Sequence, residues 1–137
     1  MITTVIFDLD DTLYNEIDYC KSGLKAVARF LAEKLPYEAS PLYERFWQQF
    51  CEGDRRRIFD SALERLGIEY DSQLIKSAIT CYRNHEPNIC LSSKNRILLE
   101  QLRKKYKLGL LTDGFLPAQE LKVKALSIES YFQCIIF

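Results

Sequence analysis

Histidine is nearly absent from this chain: His85 is the single one in 137 residues, which excludes a His-rich zinc centre. Cys20, Cys51, Cys81, Cys90 and Cys134 form no CxxC pair and no recurring spacing. An odd cysteine count, with no signal-peptide pattern at the start, predicts reduced thiols and a cytoplasmic protein. No apolar run approaches the roughly 20 residues needed to cross a bilayer, so no membrane partner is expected. Net charge is missing too. Nineteen basic residues balance nineteen acidic ones, which leaves no bulk charge to attract nucleic acid or a membrane surface. The chain shows neither internal repeats nor low-complexity segments. What remains is an ordinary globular composition, 47% hydrophobic and 28% charged, at a length of about one domain.

The most informative stretch is the N-terminus. Val5-Ile6-Phe7 reads as a short buried strand, and it leads directly into Asp8-Leu9-Asp10-Asp11-Thr12-Leu13. Ligand-binding groups of parallel α/β sheets lie just beyond the carboxyl ends of the strands. Asp8 and Asp10 are therefore expected to emerge together where a substrate binds. Two carboxylates so close repel each other unless a cation lies between them, and an oxygen-seeking divalent ion such as Mg²⁺ suits that place. An acidic turn capping a helix is the plainer alternative.

Asp8-Leu9-Asp10-Asp11-Thr12-Leu13 resembles the opening DxDxT motif of the haloacid dehalogenase (HAD) superfamily, most of whose members are Mg²⁺-dependent phosphohydrolases. The resemblance implies that Asp8 attacks phosphorus and becomes an aspartyl phosphate. It implies that Asp10 hands a proton to the leaving oxygen and later takes one from water. Both residues are implied at the metal, Asp10 through its backbone carbonyl as well. These roles agree with the chemistry, because a carboxylate is a weak nucleophile that needs charge drawn off the phosphoryl group, and a neighbouring acid can move the proton. Asp11 is read as a turn or cap residue, and Thr12 as a stabiliser of the loop.

Beyond the first strand the pattern turns helical. Leu24, Val27, Ala28, Leu31 and Leu35 keep helical spacing up to Pro36. Ser40-Pro41 reads as an N-cap followed by proline at the first helical position, with Leu42, Phe46, Trp47 and Phe50 as the apolar face. A third helix carries Ile58, Phe59, Ala62, Leu63 and Leu66, and Gly67 is placed to end it. Asp71 is placed to cap a fourth helix with Leu74, Ile75, Ala78 and Tyr82 inside, and Pro87 follows its end. Four such helices without a strand between them can pack as a bundle. Arg55-Arg56-Arg57 reads as a solvated face, with an anionic substrate as the alternative.

The α/β pattern then returns. Ser92 or Ser93 is placed to cap a helix reaching about Tyr106, with Ile97, Leu98, Leu102 and Tyr106 as buried candidates. The apolar strand Leu108-Gly109-Leu110-Leu111-Thr112 follows, then a helix over about Pro117 to Leu126 and a last strand near Ile135. Alternating strands and helices imply right-handed parallel crossovers. The expected fold is α/β: an incomplete Rossmann-like parallel sheet of HAD type in residues 1–14 and 91–137, with a helical-bundle cap in residues 15–90. In the family such caps close over the site, and Tyr14 and Asn15 are read as hinge residues.

Leu108-Gly109-Leu110-Leu111-Thr112 resembles the family's second motif. Carried over, Thr112 donates its hydroxyl to a phosphoryl oxygen, and the amides of Asp113 and Gly114 add donors in an anion-binding nest. Gln119 and Lys122 are read as surface or helix-packing residues. The family pattern continues with a phosphate-binding lysine and one or two acidic Mg²⁺ ligands, and neither is met before Phe137. Weak or absent turnover is the expectation for these 137 residues alone. An open first-strand edge is expected to invite a second copy of the chain.

The leading reading is a Mg²⁺-dependent phosphatase of a small phosphorylated metabolite, and the alternative is a catalytically silent binding or assembly module on the same fold. A dehalogenase would not need the proton-handling Asp10. A phosphosugar mutase shares both aspartates and stays open. A phospho-receiver domain would need an acceptor aspartate at the end of a mid-chain strand, where this chain is helical.

Overall fold

Valine, isoleucine and phenylalanine near the N-terminus form β1 (Thr4–Phe7) in a computed structural model that describes all 137 residues. β1 pairs in parallel with β2 (Lys107–Leu111), with Val5 opposite Leu108 and Phe7 opposite Leu110. β2 pairs in parallel with β3 (Cys134–Ile136), with Leu110 opposite Ile135. The sheet order is β1-β2-β3, so β2 is central and its Leu108 and Leu110 are buried. β1 is an edge strand, and its Ile6 is 66% exposed.

Contacts divide the chain into two units, residues 1–19 with 86–137, and residues 20–85. The first is the α/β unit. Its crossovers run through α5 (Ser93–Leu102) and α6 (Leu116–Leu126). Ser92 caps α5 by accepting from the Asn95 amide at 3.1 Å. The helix stops four residues short of Tyr106, and its buried residue is Leu99, whereas Ile97 and Leu98 face solvent. Three successive apolar residues point about 100° apart on a helix, so a narrow contact can bury only one of them.

The second unit is helical and follows from α1 (Glu16–Ala32), which runs on into it. It continues with α2 (Ala39–Glu52), α3 (Ile58–Arg65) and α4 (Ser72–Asn84). Its core joins Leu24, Val27 and Leu31 of α1 to Leu42 and Phe46 of α2 and to Phe59 and Leu63 of α3. Phe46 and Phe59 meet edge to face at 5.2 Å, an arrangement that aromatic quadrupoles favour.

Helix ends show where local chemistry decides. Gly67, at φ +67°, ends α3, with its amide on the Glu64 carbonyl and the Ile68 amide on Leu63. That is the left-handed cap expected of glycine there. Asp71 caps α4 by accepting from the Leu74 amide at 2.7 Å. Ser40 does not cap α2. The helix starts at Ala39 after Glu38, which makes no side-chain cap bond, and Pro41 lies within the first turn, where its missing N–H costs no helical bond. No helix is long and apolar enough to cross a membrane.

Candidate active site

The loop leaving β1 is wound tightly on its own backbone. The Leu9 carbonyl accepts from the amides of Thr12 and Leu13, while the Leu9 and Leu13 side chains are buried. Asp11 takes the left-handed conformation at φ 53°, and its Oδ1 accepts from the Glu16 amide at 2.8 Å at the start of α1. It is thus a turn and cap residue. Between these anchors Asp8 stays exposed, directly beyond the last residue of β1. The Thr12 hydroxyl donates to Asp8 Oδ2 at 3.4 Å.

Asp10 has a different environment. The Lys122 ammonium donates to Oδ1 at 2.8 Å and to Oδ2 at 2.9 Å. The Tyr14 hydroxyl donates to Oδ1, and the Gln119 amide nitrogen donates to Oδ2 at 3.3 Å. Lys122 itself is buried, its side chain 4% exposed, with its ammonium 4.3 Å from the centre of the Tyr19 ring. An ammonium against an aromatic face gains from the ring quadrupole. Charge-assisted bonds to both oxygens hold the carboxylate in one orientation. Lys122 is thus a cation of the chain itself on Asp10, a partner the sequence reading did not assign to it.

Three sequence-based readings change accordingly. Lys122 and Gln119 are not surface residues of α6, because both are buried and directed at Asp10. Tyr14 is not a free hinge, since its ring is buried and its hydroxyl is bonded.

The loop after β2 connects to the same carboxylate. Thr112 follows the last residue of β2, is buried, and its hydroxyl donates to Gln119 Oε1 at 3.3 Å. The Gln119 side chain thus bridges Asp10 and Thr112, and its nitrogen also donates to the Asp113 carbonyl at 3.1 Å. Gly114 lies at φ +149°, and a Cβ there would come within 2.3 Å of Gln119 Nε2. Glycine is required for that close approach. Asp113 and Gly114 follow Thr112 in the loop that leaves β2.

The donor set suits Mg²⁺ in kind, because it consists of hard oxygens. No group of three His, Cys, Asp or Glu side chains converges anywhere in the chain. With the Asp10 carboxylate turned to Lys122, the Asp8 carboxylate would hold such an ion, with the Asp10 main-chain carbonyl as the second ligand that the family resemblance implies. Mg²⁺ commonly makes do with one or two carboxylates, waters and substrate phosphate.

The model of the haloacid dehalogenase-like hydrolase family matches residues 5–137. The chain belongs to this family. A glyceraldehyde 3-phosphate phosphatase of Pyrococcus abyssi is 25% identical over 141 residues, covering 99% of this chain and 59% of the relative. An N-acylneuraminate-9-phosphatase of Rattus norvegicus is 26% identical over 152 residues, covering 98% of this chain and 60% of that protein. The chain therefore spans about 60% of the length of these curated relatives. Among solved structures, a 2-haloacid dehalogenase from Pseudomonas syringae aligns with a TM-score of 0.57 and 28% identity, over 99% of this chain and 64% of that one.

Within this HAD-like α/β unit, Lys122 and Gln119 had a signal in the sequence. Both stand on α6 among Ala118, Val123 and Leu126, which are buried. Two polar residues three apart amid the apolar positions of a short helix mark an inward polar face.

Proposed function

We propose that the α/β unit is the nucleophile-bearing part of a Mg²⁺-dependent phosphomonoester hydrolase acting on a small phosphorylated metabolite. The observation that supports this reading best is the bridge from Asp10 through Gln119 to Thr112, beside an exposed Asp8. A dehalogenating nucleophile has no need of a second carboxylate so firmly oriented. Both phosphatases named above bear the names of small phosphomonoester substrates.

In this mechanism Asp10 first takes up a proton from solvent; an Asp8 oxygen attacks phosphorus, the ester P–O bond breaks, and the leaving oxygen takes that proton. Water then attacks the aspartyl phosphate, its proton passes back to Asp10, and inorganic phosphate leaves. Lys122, Tyr14 and Gln119 keep the Asp10 carboxylate aimed, which saves reorganisation at the moment of transfer. Thr112 and the amides of Asp113 and Gly114 hold phosphoryl oxygens as negative charge shifts. Mg²⁺ on Asp8 and the Asp10 carbonyl would draw charge off the phosphoryl group.

Phosphate release from 4-nitrophenyl phosphate and glyceraldehyde 3-phosphate tests the reading. Turnover should require Mg²⁺, vanish in Asp8→Asn and fall about 100-fold in Thr112→Val. Turnover that survives Asp8→Asn overturns the mechanism. No release above the Asp8→Asn background, measured on a chain extended to include the family's lysine and acidic ligands, favours the silent binding module.

A further inference from the structure

The helical unit contains a cavity of about 350 Å³, within the roughly 300–1,000 Å³ range of small-molecule sites. We infer that it is a second binding site, for a planar aromatic anion. Its deep wall is apolar and aromatic: Leu24, Phe50 and Phe59 are buried in the bundle core, and Tyr82 lies alongside. Neighbouring rings hold this wall. Phe50 stacks on Trp47 with centroids 5.3 Å apart, and Phe59 packs edgewise on Tyr82 at 6.3 Å. Flat aromatic faces favour a flat ligand.

The mouth is cationic. Arg55, Arg56 and Arg83 line it against one carboxylate, Asp60. Arg55 is already fixed in place: its guanidinium lies 4.2 Å from the centre of the Phe50 ring, and its Nε donates to the Phe50 carbonyl at 3.3 Å. The turn bearing it, Arg55–Arg57, is itself capped by Asp54, which accepts from the Arg56 amide at 2.9 Å. With Arg55 over Phe50 and Trp47 stacked on the same ring, the ligand ring would lie against Phe59 and Tyr82 while the Arg55 fork meets its anion.

A merely solvated basic face would treat the three arginines alike, and the structure does not. Arg57 is spent on Glu64 at 2.9 Å and stays outside the cavity, whereas Arg55 and Arg56 line it. Every residue of this site lies within residues 20–85. The inference therefore stands apart from the hydrolase reading and does not fail with it.

The difference between Arg56 and Arg57 gives the test. The 137-residue chain is titrated with 1-naphthalenesulfonate, with neutral 1-naphthol and with sulfate, following backbone amide shifts. Naphthalenesulfonate should saturate with shifts centred on residues 54–60 and 79–83, and the two half-ligands should bind at least about tenfold more weakly. Arg56→Gln should weaken naphthalenesulfonate about tenfold, the worth of one charge-assisted hydrogen bond. Arg57→Gln should change it less than about twofold. Equal losses in the two variants mean bulk charge and overturn the site. Absence of saturable binding, or loss of binding in Asp8→Asn, overturns it as well.

Discussion

The two units bury polar groups in opposite ways. In the α/β unit Thr112, Gln119 and Lys122 are buried; Gln119 and Lys122 donate to the carboxylate of Asp10, and Thr112 joins it through Gln119. In the helical unit the buried polar side chains are Gln49 and His85. His85 serves local structure, with Nδ1 donating to the Tyr82 carbonyl at 2.7 Å and Nε2 meeting the Ser22 hydroxyl at 3.1 Å. Gln49 leaves its Oε1 without any partner. An ion pair taken from water stabilises less than well-packed hydrocarbon of the same volume. A fold seeking stability alone would fill α6 as the bundle fills α2. The convergence on Asp10 therefore fits the proton-handling role proposed for that carboxylate, and the bundle core fits packing alone.

The sharpest way to break the contrast is to open the bundle core. Phe46 is fully buried and touches Phe59, so Phe46→Ala should destabilise the helical unit by about 4 kcal/mol. The single tryptophan, Trp47, lies next to it in α2, and its fluorescence during urea unfolding reads the loss. A cost below about 1 kcal/mol would mean that hydrocarbon packing does not hold this unit.

The equivalent cut in the α/β unit is Lys122→Met, which leaves Asp10 without its cation. Removing one partner of a buried pair costs about 3–5 kcal/mol. The Asp10 side chain keeps 20% exposure, so about 2–3 kcal/mol is expected. Hydrogen exchange at the Leu108 and Leu110 amides of β2 measures it locally. Adding Asp10→Asn should recover most of the loss, because no unpaired charge then remains. A double variant as unstable as Lys122→Met alone would show that Lys122 acts through packing.

How much of this could be read from residues follows the same division. Strand, helix and cap positions were legible wherever one short stretch decides them: β1, the Asp71 cap and the Gly67 terminus all rest on local chemistry. The positions of Asp8 and Thr112, directly beyond β1 and β2, were legible because an apolar run precedes each. The Asp10–Lys122 pair was not, since 112 residues separate its partners and no local rule brings α6 to the β1 loop. Leu99 was missed in favour of Ile97 and Leu98 for the same reason. Which of three adjacent apolar residues faces inward is set by tertiary packing, which the local pattern does not show.

The mildest test concerns Gln49, the place where the bundle departs from its own habit. Its side chain lies so close to Gly53 that a Cβ there would stand 1.8 Å from Nε2, and Oε1 is buried without a donor. An unsatisfied buried acceptor costs about 1–3 kcal/mol, while methionine has nearly the same length and volume and no acceptor to desolvate. Gln49→Met should stabilise the helical unit by about 1 kcal/mol, read as a higher urea midpoint by Trp47 fluorescence with an unchanged slope. In the α/β unit the same exchange at Gln119 should act in the opposite direction, because that amide satisfies Asp10, Thr112 and the Asp113 carbonyl at once. If both substitutions shift stability the same way, the contrast between a packed unit and a polar, chemically committed one is wrong.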